Sequence, residues 1–412
     1  MKILFIHQNF PGQFKHLAPL LAQRGHECVA LTLRVKEPTH WRGVRILPYA
    51  LPKRAGQTMH RWLLDLDSKV TRGEACYHAA VALRDKGYAP DLILAHPGWG
   101  ESMFLRDVWP EARLGMYCEL YHLADWPHLA FDPEFTGQNP ETEPLRLRLK
   151  NLNNHLHFDT AEAGISPTRF QADTFPAPFR DRITVCHDGI DTRTARPAPD
   201  ARLVFKNGRT LDRDDEVITF VNRNLEPYRG YHIFMRALPR LLRDRPRARV
   251  LIVGGAGVSY GQHPPAGHTW KQIFIDEVRG QIPDADWARV HFLGRIPYDQ
   301  FLQVLQISRV HVYLSYPFVL SWSLLEAMSC GAPVVAADTD PVREVIGHDE
   351  TGRLVDFFDG DGLVDEVCAL LDDPTTRHRL GLAARDVIRA RYDLRTVCLP
   401  RQTDWVLGLM RT

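Results

Sequence analysis

The sequence predicts an α/β protein of two doubly wound, Rossmann-like parallel-sheet domains. Three observations carry that prediction. At roughly 100–200 residues per domain, a chain of 412 residues has room for two. Residues 2–7 form a short apolar strand, Phe14, Leu17, Leu20 and Leu21 then recur at helical spacing up to Gly25, and residues 29–33 are apolar again. That β–turn–α–β order opens a parallel sheet. A second series of short β-branched runs follows at 217–221, 249–255, 290–293, 310–315 and 333–337. Between the two series, 197–215 is rich in charge, with Pro197, Pro199 and Gly208, and reads as a connector. The expected domains are therefore 1–196 and 216–392.

Composition narrows the function. Apolar residues make up 44%, enough for a full core. A net charge of +1 gives no electrostatic reason to expect nucleic acid as a partner. Cys28, Cys76, Cys118, Cys186, Cys330, Cys368 and Cys398 are odd in number and form no CxxC pair, so neither a disulfide framework nor a zinc site is expected. The first residues read as a strand rather than a signal peptide, and no apolar run approaches a membrane span. A cytoplasmic setting follows, with peripheral contact at the inner face of the membrane left open.

In the first half, residues 2–7 run into a turn at Pro11-Gly12 that lacks the GxGxxG of a dinucleotide fold. Residues 44–49 are a further strand. Residues 59–86 are helical, with Trp62, Leu63, Leu66, Val70, Tyr77, Ala80 and Leu83 as an apolar stripe that reads as core packing. The strand 91–95 ends in a loop with His96 and Trp99, and ligands of open α/β sheets sit outside such strand ends. These two residues are acceptor-side candidates. The strand 114–118 leads to Glu119, Tyr121 and His122, among which spacing does not choose. A carboxylate there can take a proton or stabilise positive charge. Residues 124–140 look like a long loop, a lid or an acceptor-binding segment. Residues 143–157 read as one helix with Leu145, Leu149, Leu152 and Leu156 on one face, a pattern shared by solvated and interfacial helices. Strands at 163–166 and 183–186 complete the half.

The second half is organised around residues 310–346. A buried strand ends at Tyr316 and Pro317, a polar turn holds Ser321 and Ser323, and a short helix at 324–329 stops at Gly331. Strand, turn and helix N-terminus together make an anion site, with Glu326 in the helix's first turn. Upstream, Arg223 and Arg229 stand either side of a turn before a helix that starts near Tyr231, a placement suited to phosphate. Arg295 and Ile296 follow the strand 290–293. Glu344 lies on a helix, where N-terminal dipole stabilisation is one account of it. His263 and His268 lack further ligand types, so no metal site is expected. Residues 377–410 read as helical.

The string LLEAMSCGAPVVAADTDPVREVI resembles the donor-site signature of retaining glycosyltransferases of the family 4 type. That resemblance implies the GT-B fold, two Rossmann-like domains facing a central cleft, with the C-terminal helix (393–412) packed back on the first. It implies that Glu326 holds ribose hydroxyls and that the amides of Leu320, Ser321 and Trp322 cap a diphosphate gripped by Arg223 and Arg229. It also implies that Arg295 and Ile296 neighbour the base, that Glu344 shapes the donor site, and that Gly12 lies near donor phosphate and acceptor. Among Glu119, Tyr121 and His122, relatives place a histidine close to the transferred sugar. Two departures stand out. Phe318 occupies the position of the family's first glutamate, and Asp188 the place of an asparagine. The implied activity is retaining transfer of a sugar from a nucleotide-diphosphate donor to a glycan, lipid or small-molecule acceptor, in surface polysaccharide or glycoconjugate synthesis. No cofactor is implied, and no Asp-x-Asp follows a first-half strand, so metal independence is expected. A GT-B sugar-nucleotide epimerase and a catalytically silent nucleotide-sugar-binding protein are the alternatives.

Overall fold

The computed structural model describes residues 1–52, 59–123, 131–135, 141–205 and 207–411. The chain forms two compact units: Met1–Trp126, Gln138–Gly189 and Arg395–Thr412 make the first, and Pro127–Gly137 with Ile190–Leu394 the second.

The first unit is built on β1 (Lys2–Ile6), β2 (Glu27–Thr32), β3 (Thr39–Trp41), β4 (Val44–Pro48), β5 (Leu92–Ala95), β6 (Arg113–Tyr117), β7 (Ala163–Ser166) and β8 (Ile183–Val185). Their order is β3-β4-β2-β1-β5-β6-β7-β8, parallel except for β3 against β4. Leu4 lies opposite Val29 on one side and Ile93 on the other. Side chains alternate across the sheet, so Leu4 and Ile6 enter one core and Ile3 and Phe5 the other. The first core is covered by Cys76 and Ala80 of a long helix. The second takes Phe14, then Leu17 and Leu21 of α1 (Leu17–Gln23), and Trp405 and Val406 of the C-terminal helix (Leu399–Gly408). A strand covered on both faces must be apolar throughout, which is why residues 3–6 carry no polar side chain.

That long helix is α2 (Leu64–Asp85), and its buried face differs from the expected stripe. Lys69, Gly73, Cys76 and Ala80 are buried, whereas Leu63 and Val70 are exposed. Close approach decides the face. A Cβ on Gly73 would stand 2.9 Å from the carbonyl oxygen of Gly100, so only small residues fit there. Lys69 is buried because its ammonium donates to the Lys150 carbonyl at 2.7 Å and to Asn153 Oδ1 at 2.9 Å. The single helix expected over 143–157 is two, α3 (Glu143–Lys150) and α4 (Leu152–Phe158). Asn151, between them, turns its side chain to clamp the backbone of His122.

The second unit begins with β9 (Leu203–Val204) paired antiparallel to β10 (Thr210–Leu211), inside the stretch read as a connector. Its main sheet is fully parallel: β11 (Val217–Asn224), β12 (Arg249–Gly255), β13 (Val290–Gly294), β14 (Val310–Tyr313), β15 (Val334–Ala337) and β16 (Arg353–Val355), in the order β13-β12-β11-β14-β15-β16. The helices that position the site are α5 (Tyr231–Asp244), α6 (Trp270–Arg279), α7 (Tyr298–Gln306) and α8 (Trp322–Ser329). In each sheet the strand order reverses at the first strand of the unit's fold, β1 between β2 and β5, and β11 between β12 and β14. At such a reversal point the loops leaving the two central neighbours run to opposite sides, and ligands of sheets of this kind bind outside the strand ends there.

Of the long loop expected at 124–140, residues 124–130 and 136–140 lie outside the described residues. The described piece is packed into the second unit. Asp132 is buried and accepts from Tyr316 Oη at 2.6 Å, with His232 Nε2 2.9 Å from the same oxygen. Glu134 pairs with Arg236 through two bonds. Phe131 meets Tyr316 and Phe357, and Phe135 meets His232 and Trp270, each at 5.1–5.2 Å between ring centroids.

Candidate active site

In the first unit the reversal point gathers residues far apart in sequence. His7 leaves β1, and its Nδ1 accepts from the Asn9 amide at 2.9 Å. Its proton therefore sits on Nε2, which donates to Gln13 Oε1 at 2.7 Å. Gln13 passes the chain on, donating from Nε2 to Glu119 Oε1 at 3.3 Å. Glu119 Oε2 lies 3.5 Å from His96 Nε2, while His96 Nδ1 accepts from the Gly98 amide. His96 is buried between two rings, Trp99 at 4.4 Å and Tyr117 at 5.4 Å, both nearly parallel to it. Burial, and then the neighbouring His96, pull the His7 pKa down to about 3, so His7 is a neutral donor near pH 7. Gly12 sits over this ring with φ +46°, and a Cβ there would lie 2.2 Å from His7 Nε2. Only glycine meets both conditions.

Glu119, His96, Trp99 and Gly12 are thus brought together. Tyr121 and His122 are held elsewhere: Tyr121 Oη bonds His155 at 2.8 Å, and His122 is pinned through its backbone by Asn151. Asp188 accepts both contacts of the Tyr117 hydroxyl, at 2.9 and 3.1 Å, and so fixes the ring behind His96. His7, Gln13 and Tyr117 were missed from sequence. Only the position of His7 at the end of β1 hinted at a role.

In the second unit Arg223 is exposed at the end of β11, and Arg229 is buried in the turn that follows. The Arg229 guanidinium donates from Nη1 to Ser315 Oγ at 2.9 Å, to the Val319 carbonyl at 3.0 Å and to Tyr313 Oη at 3.3 Å. Tyr313 Oη also accepts the Ser321 amide at 3.1 Å. One cation and one hydroxyl therefore tie the β11 turn to the turn that precedes α8. Ser321 caps α8 through its Oγ, which accepts from the Ser323 amide. The Arg229 guanidinium carbon lies 5.2 Å from the Tyr260 ring centre and 6.0 Å from that of Phe318. Phe318 is itself buried, edge-on to Tyr228 at 5.4 Å and to Tyr260 at 4.8 Å.

Glu226, between the two arginines, is fully buried and takes the amides of Ser259 and Tyr260, each at 3.0 Å. Burial raises its pKa, with those amides partly offsetting the rise. It anchors the loop after β12, so Tyr260 is held over Arg229. Gly230 has φ +65°, and a Cβ there would lie 2.2 Å from the Leu314 side chain. The glycine is what lets α5 start directly beneath β14.

Glu326 lies in the second turn of α8 rather than its first, because the helix begins at Trp322. Its Oε1 accepts from Tyr298 Oη at 2.7 Å. Arg295 is exposed and donates to Asn224 Oδ1 at 3.0 Å; Ile296 beside it is half-buried. Leu320 is buried and Trp322 half-buried at the start of α8. Glu344 stands at the C-terminal end of the short helix Asp340–Arg343, so the N-terminal dipole account of it is wrong. Glu226, Tyr313 and Tyr298 escaped the sequence reading, since buried tyrosines and an acid beside proline look like ordinary core and turn.

Two doubly wound sheets with strand-end sites define the class, a two-unit α/β protein of GT-B architecture. Residues 24–195 match the glycosyl transferase family 4 group, and residues 204–387 match the glycosyl transferases group 1. The chain belongs to the family 4 glycosyltransferases and is a transferase enzyme. It is 29% identical over 311 residues to D-inositol 3-phosphate glycosyltransferase of Corynebacterium efficiens, covering 72% of this chain and 67% of that one. It is 30% identical over 211 residues to phosphatidyl-myo-inositol mannosyltransferase of Mycolicibacterium smegmatis, covering 50% of this chain and 47% of that one. The match thus spans about two thirds of the first relative's length and under half of the second's. Among solved structures, sucrose-phosphate synthase from Thermosynechococcus elongatus superposes with a TM-score of 0.76 at 17% identity over 100% of both chains. Anabaena HepE in complex with UDP-glucose superposes with a TM-score of 0.67 at 17% identity over 99% of both chains. Among the described residues no helix is long and apolar enough to cross a membrane.

Proposed function

We propose that the protein transfers a sugar from a nucleotide-diphosphate donor to a glycan, lipid or small-molecule acceptor, with retention of anomeric configuration, in surface polysaccharide or glycoconjugate synthesis. The observation that carries this reading is the junction of Arg229, Tyr313 and Ser321 with Glu326 on the same helix. A fixed cation and a helix N-terminus favour a diphosphate. A nearly buried carboxylate on that helix suits the hydroxyls of a pentose. Exposed Arg223 adds a second positive charge as the nucleotide diphosphate departs, and charge stabilisation at the leaving group is the main lever on such a step. On the acceptor side Glu119, steadied by Gln13 and His96, is placed to balance positive charge at the anomeric carbon or to take the acceptor proton. The relatives named for inositol phosphate and phosphatidyl-inositol support a polyol or lipid-linked acceptor. UDP-glucose in the HepE complex supports a nucleotide-sugar donor.

The charge work is assigned to arginines and helix dipole, so turnover is independent of divalent metal. A panel of nucleotide-sugars, followed for nucleoside diphosphate release with and without acceptor lysate, tests the whole reading. Acceptor-dependent release in excess chelator supports it, whereas an isomerised nucleotide-sugar would show an epimerase instead. Loss of release in chelator that magnesium or manganese restores overturns metal independence. A second reading, donor binding without turnover, is favoured by Phe318, an apolar ring at a position where the family resemblance places an acid. Tight binding without release under every condition would select it.

A further inference from the structure

Tyr298 is the first residue of α7, and Glu326 lies on α8, yet the two side chains meet. The phenol donates to Glu326 Oε1 at 2.7 Å. The carboxylate residue is 8% exposed and the tyrosine 50% exposed, so the ring lies outermost, over an acid that is otherwise buried. Two features hold the ring in place. Pro297 immediately precedes it, with φ limited by its own ring, and Phe301 stacks on it with centroids 5.7 Å apart and planes 27° apart. Burial and the adjacent Glu326 push the phenol pKa upward, so the hydroxyl remains a donor at neutral pH. Before Tyr298 comes the loop of Arg295 and Ile296, and Arg295 is tied to Asn224 at 3.0 Å.

The last torsion of a glutamate is broad. A carboxylate free to turn can satisfy itself with water, and a hydroxyl of an arriving pentose then merely replaces that water. A carboxylate whose plane is fixed from one side presents its remaining lone pairs in one direction. A site arranged in this way rejects an analogue lacking the hydroxyl, because the buried acceptor is left unmatched.

We infer that Tyr298 is a positioning residue that presets Glu326, and that it thereby makes the site selective for ribonucleotides over deoxyribonucleotides. This rests on the reading that Glu326 receives the pentose hydroxyls. The ligand class is a ribonucleoside diphosphate, free or sugar-linked.

Calorimetric titration of the full chain with UDP, GDP and their 2′-deoxy and 3′-deoxy forms tests it, in the wild type and in Tyr298→Phe. The wild type is expected to prefer a ribonucleotide by about tenfold or more over at least one deoxy form, in line with a hydrogen bond to a charged group. Tyr298→Phe is expected to shrink that preference to within about threefold, with affinity for the deoxy form unchanged, because the lost hydroxyl acts only through Glu326. A wild type that binds ribo and deoxy forms equally overturns the pentose reading of Glu326 itself, and absence of any nucleotide binding overturns the donor reading. A wild-type preference that survives intact in Tyr298→Phe overturns the role of Tyr298 alone. So does an equal loss of affinity for both forms, which would mark a merely structural side chain. A thermal melt of Tyr298→Phe, expected to fall by no more than about 6 °C for one lost hydrogen bond to a nearly buried carboxylate, accompanies the titration. A larger drop with the preference unchanged also counts against the inference.

Discussion

The two units share an architecture and differ in electrostatic character at the place where each sheet reverses. In the first unit the reversal point holds a chain of contacts from His7 through Gln13 to Glu119 and His96, in which both imidazoles are buried and the carboxylate is half-buried. In the second it holds a buried guanidinium under aromatic cover, a capped helix N-terminus and an acid on the same helix. The contrast teaches that one sheet topology places loops but does not choose chemistry. What chooses it is which side chains the loops carry and how deeply they are desolvated.

The contrast can be broken most sharply at Asp132. Asp132→Ala leaves His232 and the Tyr316 hydroxyl buried without their acceptor, and each buried polar group left unmatched costs about 1–3 kcal/mol. Denaturant unfolding is expected to show that loss in the second unit's transition. A midpoint unchanged from wild type would mean the segment 131–135 is not integral to that unit. Next comes Arg229→Ala, which removes the cation joining the two turns. Turnover is expected to fall about 10²–10³-fold, with Glu119-dependent steps intact; retention of normal nucleotide-sugar turnover would place the diphosphate elsewhere. On the other unit, Glu119→Gln is expected to lower kcat about 10²-fold while leaving donor KM unchanged, as for a lost acid–base group. A rise in donor KM with kcat preserved would reverse the assignment of the two sites.

Acid sharpens the comparison. His7 and His187 in the first unit and His311 in the second have pKa values lowered by burial to about 3. Burial also lowers His157 in the first unit and His291 in the second. His7, His187 and His311 stay neutral in the folded protein until the pH approaches 3, and His157 and His291 take up a proton less readily than in the unfolded form, which is protonated below about pH 6.5. The unfolded state then binds more protons, so stability is complete above that pH and declines as pH falls toward 3, by at most about 1.4 kcal/mol per pH unit per histidine. For Asp132, burial alone would raise the pKa, but hydrogen bonds from His232 and Tyr316 bring it below the ordinary carboxyl value. Its contribution is present above the unfolded carboxyl pKa near 4 and is lost only below it. Hydrogen exchange between pH 6.5 and 4.5, corrected for intrinsic rates, is therefore expected to show the first unit losing protection faster. Equal loss in both would mean the histidines do not dominate. The smallest expected effect is Phe318→Glu, which puts a carboxylate beside Arg229 and should reorder donor preference; an unchanged ranking across a nucleotide-sugar panel would show the ring has no part in choosing the sugar.

Much of the second unit was legible because its determinants are contiguous. Strand, turn, capped helix, glycine and strand follow one another within residues 310–346, and local periodicity reports each of them. The long helix was legible in extent but not in face, because Gly73 and Lys69 are buried by close approach and by hydrogen bonds that no hydrophobic pattern encodes. The break at Asn151 was hidden for a similar reason, since its side chain serves the backbone of His122.

By itself, then, the order of residues determined two parallel-sheet units, the apolar strands that both faces must cover, and the capping turn before Trp322. Those are local properties of spacing, backbone freedom and side-chain burial. The tertiary structure alone decided which of Glu119, Tyr121 and His122 meets His96, that Tyr298 grips Glu326, and that residues 131–135 belong to the second unit. Each of these joins groups 23 or more positions apart by contacts under 4 Å, and contacts of that kind depend on how elements pack rather than on what any one segment prefers.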